Sequence, residues 1–156
     1  MTRLRLALCG ILAAVAGIAA GHLVAGFVSP AASPVLAIGS TVIDLTPTPV
    51  KEWAIATFGT ADKVVLQGSV LAGTLVLAAV AGLLTRRRMP VGVALIMLLT
   101  ALAGAAALLR PAASPRDALP AAAATVVGVV VLVVLRHLAE APRVALGGLA
   151  RRRFLG

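Results

Sequence analysis

The chain has 156 residues, of which 61% are hydrophobic and only 12% charged, with a mean hydropathy of +1.09. A soluble domain is about half apolar, so this composition excludes an ordinary water-soluble fold and belongs to a polytopic membrane protein. The net charge of +9 comes with three Phe, one Trp and no Tyr, which excludes a nucleic-acid platform of interleaved basic and aromatic residues.

The first apolar stretch runs from Leu4 to Val28, with Arg3 and Arg5 at its start. It starts like a signal peptide but is too long for one and lacks an A-x-A site, so it reads as an uncleaved signal-anchor. Cys9 is the single cysteine, which leaves no internal disulfide and no cysteine-based metal site. Leu8 is too large for the position before a lipoprotein cysteine, and Cys9 reads as a buried, inert thiol. Gly17 and Gly21 in "GIAAG" fit the small-xxx-small spacing that lets helices approach closely.

Residues 29–63 form the long connection to the next span. Pro30 and Pro34 end the first helix. The run "PVLAIGSTVIDL" is too short to span and too apolar for a free loop, which predicts an interfacial or re-entrant segment packed against the helices. The following "TPTPVKEWAIATFGTADK" predicts a short helix with Thr48 as N-cap, Pro49 as first helical residue and Gly59 as stop. Val50, Trp53, Ala54 and Phe58 share one face of it, and Lys51 and Glu52 turn to water. That is an amphipathic surface helix with Trp53 at headgroup level. Thr60 and Asp62 suit the start of the second span.

Further apolar stretches cover residues 64–85, 91–109 and 118–135. Each approaches the roughly 20 helical residues that a bilayer core requires. Uniform apolarity without alternation argues for helices over barrel strands. The expected fold is therefore all-α: four transmembrane helices, plus an outer loop holding the re-entrant or interfacial segment and the amphipathic helix. Residues 1–138 make the membrane domain and 139–156 a basic tail. "RPAASPRDALP" reads as a proline-rich connector between spans three and four.

Charge sets the expected orientation. With the N-terminus inside, ten Lys and Arg fall on the inner face and four on the outer, Lys51, Lys63, Arg110 and Arg116. That asymmetry predicts both termini in the cytoplasm. The excess of Ala, Val, Leu and Arg over Lys suggests a GC-rich bacterial genome, and the expected location is a bacterial plasma membrane.

Candidate chemistry is sparse. His22 and His137 fall in opposite leaflets and cannot share a haem iron; each reads as a helix-contact or surface residue. Beyond Arg5 at the very start of the first stretch, no Asp, Glu, Lys or Arg lies within a span, so nothing marks a transport path. Asp44 is the acid within the apolar outer segment, either a turn or cap residue before "TPTP" or a contact residue. No catalytic, cofactor-binding or metal-ligating set is legible. The partner the composition requires is the lipid bilayer.

The stretch "SPVLAIGSTVIDLTPTPVKEWAIATFGTADK" resembles the membrane-embedded N-terminal region of bacterial sulfite-oxidase-like molybdopterin-dependent oxidoreductases. In that family a comparable loop lies between the first two of four spans. The resemblance implies a fifth span and an extracytoplasmic molybdopterin domain beyond Gly156, with the cofactor and catalytic residues outside these 156 residues. It also implies that Arg151, Arg152, Arg153, Phe154 and Leu155 form an internal twin-arginine export signal, with Ala150 in place of the usual Ser or Thr. A plain basic tail is the alternative. The segment with Asp44, Lys51, Glu52, Trp53 and Phe58 is then the expected outer-face contact for the catalytic domain or a redox partner. The competing expectation is a stand-alone membrane subunit or assembly factor.

Overall fold

The structure, a computed structural model, describes residues 2–111 and 113–140, without the side chains of Ala54, Thr60, Asp62, Lys63 and Glu140. The expected tail motif Arg151–Leu155 lies outside the described residues. The chain forms helices α1 (Arg3–Val28), α2 (Pro34–Leu45), α3 (Thr48–Phe58), α4 (Asp62–Leu84), α5 (Met89–Leu108) and α6 (Leu119–Glu140). Short 3-10 turns at Pro30–Ala32, Gly59–Ala61 and Pro115–Ala118 join them. No strand occurs among the described residues.

Prolines punctuate the chain in a physically consistent way. Pro34, Pro49 and Pro90 stand in the first turn of α2, α3 and α5, where the missing N–H has no intrahelical partner to lose. Helices α1, α4, α5 and α6 are long and apolar enough to cross a membrane. The fold is thus an all-helical polytopic bundle, as the composition requires. The last helix is described as far as Glu140.

α1 is the central element, packed most extensively on α6 and next on α4, while α5 closes the ring between α4 and α6. The register is read from the close approaches. Gly10 faces Ala78 and Gly82 of α4, Gly17 faces Ala124 and Gly128 of α6, and Gly21 faces Pro120. These pairings make α1 antiparallel to both neighbours, an up-and-down bundle. Its core is built from Cys9, Ala13, Ala78, Ala81, Ile96 and Leu132.

Small residues meet at the seams while Leu4, Leu12, Leu23 and Phe27 of α1 point outward. Lipid tails are as apolar as leucine, so burying a leucine from lipid contributes little. Close backbone approach contributes dispersion instead.

The same register gathers charge. Arg3, Arg5, Arg86, Arg87, Arg88 and Arg136 fall at the bundle end where α1 begins and α4 ends. Lys51, Arg110 and Arg116 fall at the opposite end with Asp44, Glu52 and Asp117.

Candidate functional site

The segment between α1 and α4 splits into two parts of opposite character. α2 is drawn into the bundle against α5 and α4. Ala37 is fully buried, Pro34 and Gly39 are buried, and Ala32 and Ala37 cluster with Ala106 and Ala107 of α5. Ile38 lines a cleft together with Thr74 and Leu99, near the middle of α4 and α5. Three hydroxyls stay within the helix: Ser40 and Thr41 donate to the Ala37 carbonyl at 2.9 and 3.0 Å, and Thr46 donates to Val42 at 2.5 Å. A polar side chain in apolar surroundings thereby satisfies its own donor.

Ser33 ties the start of α2 to α1. Its side chain is 1% exposed, and its hydroxyl lies 3.0 Å from His22 Nδ1 and 3.2 Å from Nε2. Ser33 occupies the N-cap position of α2 without capping it through its side chain. His22 is therefore a helix-contact residue whose partner, eleven positions later, carries no sequence signal. His137 sits near the end of α6, seventeen residues beyond the Pro120 that packs at the level of Gly21. Along a helix that is roughly 25 Å, so one iron cannot bridge the two imidazoles.

α3 stands clear of the core and packs mainly on the Gly59–Ala61 turn and the start of α4. It begins at Thr48, with Pro47 as N-cap and no side-chain cap bond. The N-cap expected at Thr48 thus moves back one residue, because Pro47 already accepts from Val50 and Lys51. Gly59 ends the helix with φ +56°, a left-handed conformation that costs glycine least. Val50, Trp53, Ile55 and Phe58 are all exposed. The Trp53 and Phe58 rings meet edge-to-face at 6.0 Å and 88°, an arrangement aromatic quadrupoles favour. Glu52 is exposed and Lys51 half-buried. Asp44 lies exposed in the last turn of α2, just before the Thr46–Pro47 bend. The structure brings Lys51, Glu52, Trp53 and Phe58 onto one short helix, with Asp44 on the preceding one.

Two polar features escaped the sequence reading. The Thr100 and Thr125 hydroxyls meet at 2.7 Å between α5 and α6. In the α5–α6 connector, Arg110 pairs with Asp117 at 3.2 Å. The same carboxylate accepts from the Ser114 N–H at 3.2 Å, completing a capping box. That motif was legible as S-P-R-D, the Ser-x-x-acid signature. Among the described residues, no group of three His, Cys, Asp or Glu side chains is placed to hold a metal ion.

The fold and these contacts define a polytopic helical membrane protein whose α1–α4 connection has one helix packed into the bundle by its first half and one at the bundle's edge. Comparison with protein-family models, curated proteins and solved structures finds no match.

Proposed function

We propose that this chain is the membrane anchor of a sulfite-oxidase-like molybdopterin-dependent oxidoreductase, tethering an extracytoplasmic catalytic domain outside these 156 residues. The observation that carries the reading is α3. The residues on which the family resemblance rests form a helix that leaves Trp53, Val50 and Ile55 uncovered. α3 and the exposed Asp44 then supply the docking edge, α2 is a re-entrant segment, and Trp53 sits at headgroup level.

In this reading both termini are cytoplasmic, in a bacterial plasma membrane. The basic asymmetry supports that, since six of the described arginines share one bundle end. Arg151–Leu155 act as a twin-arginine signal, and molybdopterin belongs to the tethered domain.

The deciding experiment places a photo-crosslinking amino acid at Glu52 in cells that express the protein from its natural gene. Crosslinking to a molybdopterin domain in the same polypeptide is expected. Crosslinking only to a separate membrane subunit would replace the anchor reading by the stand-alone subunit. Orientation is tested in a Cys9→Ser background. Ala61→Cys should label from outside intact cells and Gly147→Cys only after permeabilisation. In the full-length protein, replacing Arg151, Arg152 and Arg153 by Lys should block export at unchanged charge, because Lys lacks the planar guanidinium fork.

A further inference from the structure

A cleft of about 370 Å³ opens between α2, α4 and α5, within the size range of small-molecule sites. Ile38, Thr41 and Val42 form one wall, Val70 to Leu77 of α4 the second, and Leu99 to Ala106 of α5 the third. Two of the three walls are helices of bilayer-crossing length, so the medium at its mouth is hydrocarbon.

Its chemistry is narrow. Ile38, Thr74 and Leu99 also line a smaller cavity of about 50 Å³ that continues inward to Ala13, Gly17 and Gly128. Thr41 and Thr74 are the cleft's hydroxyls, and each donates to a carbonyl of its own helix, at 3.0 Å to Ala37 and 2.8 Å to Val70. The lining thus carries no charge and no uncommitted hydroxyl donor. A ligand head with carbonyl or phosphate oxygens would leave its acceptors unmet there, whereas a saturated hydrocarbon chain needs none.

Depth narrows the ligand further. α4 enters the apolar region at Val64. Counting helical rise from there, Val70 lies roughly 9 Å deep and Leu77 about 20 Å deep. The hydrocarbon midplane is at about 15 Å. The cleft therefore matches the distal half of an acyl chain, not its ester end.

We propose that the cleft is a lipid site that takes the methyl-terminal half of one phospholipid acyl chain, from the leaflet entered by the start of α4. The chain fills the space α2 leaves against α4 and α5 and restores the dispersion contacts an empty cleft forfeits. This inference rests on the membrane-spanning fold alone and is independent of the molybdoenzyme reading.

Gly73 supplies the test. It lines the cleft, and a Cβ there would meet nothing within 4 Å, so Gly73→Leu places a side chain where the acyl chain would lie. Gly68 is equally open and lies outside the cleft, which makes Gly68→Leu the matched control. The protein is reconstituted in phosphatidylcholine vesicles with lipid spin-labelled either near the acyl carbonyl or near the terminal methyl.

A motionally restricted component should be larger for the terminal label than for the carbonyl label, the reverse of an ordinary boundary layer. Gly73→Leu should abolish that excess and Gly68→Leu retain it. Equal restriction of both labels in the unsubstituted protein overturns the proposal whatever the variants do. An excess that survives Gly73→Leu, with helicity unchanged, also overturns it. Restriction of a labelled isoprenoid quinone with none of the phospholipid would assign the cleft to a different ligand.

Discussion

Replacing Gly10 by alanine should separate α1 from α4. A Cβ on Gly10 would lie 2.8 Å from the Gly82 nitrogen and closer still to the Ala78 carbonyl oxygen, while a Cβ on Gly82 would meet Gly10 nitrogen at 2.8 Å. The obstacles are backbone atoms on a neighbouring helix, which cannot swing aside as a side-chain tip can. Relief requires the helices to part by about 1 Å, a gap at which a contact loses a quarter to a half of its dispersion well. Overpacking of this kind costs about 1–3 kcal/mol, and backbone on both sides places Gly10→Ala at the upper end.

Against that stands the better helix propensity of alanine, about 1 kcal/mol. The net expectation is a loss of about 2 kcal/mol. Gly26 of the same helix has open space around its Cβ, so Gly26→Ala should be neutral or stabilising by up to about 1 kcal/mol. Unfolding of the detergent-solubilised protein in an SDS titration, followed by circular dichroism, measures both. Gly82→Ala should behave like Gly10→Ala. The double variant should cost less than the two single costs together, because helices already parted have little more to lose. Equal stability of Gly10→Ala and Gly26→Ala would refute the close-packed seam.

Other outcomes follow from the polar contacts and the free helix. Asp117→Asn removes the carboxylate charge that pairs with Arg110 and accepts from Ser114; it should cost about 2 kcal/mol in the same titration, and an Arg110/Asp117 double-mutant cycle should show favourable coupling. Thr125→Val breaks the 2.7 Å contact with Thr100 and should cost only about 0.6 kcal/mol, the average for such bonds within a membrane protein. Trp53 is the chain's only tryptophan, so fluorescence reports α3 alone. In vesicles its emission should be quenched more by lipids brominated near the headgroup than by those brominated near the terminal methyl, and equal quenching would remove α3 from the interface.

Much of this molecule was legible in the chain because bilayer length and backbone satisfaction are one-dimensional constraints. Long uncharged runs in lipid must be helices or closed-barrel strands, and these lack the alternation of barrel strands, so the all-α class and the four long helices follow from composition and spacing. Gly59 as a stop follows from the backbone angles glycine favours, whereas Pro34, expected to end the first helix, stands instead at the head of α2. The identity of each helix's buried face did not follow. In water the buried face is the apolar one, but α1 is apolar all round, and its seam is marked by size instead, through Gly10, Ala13, Gly17, Gly21 and Ala25.

The "GIAAG" pair hinted at that seam without naming α6 as its partner, and nothing in the order of residues paired Gly10 with Gly82. The His22–Ser33 contact, the Thr100–Thr125 contact and the cleft beside Gly73 likewise exist only once the helices are packed. Sequence by itself determined which segments must be helical, because that depends on local chain and solvent. Tertiary structure decided which small residues touch and where space remains, because both depend on the register between helices far apart in the chain.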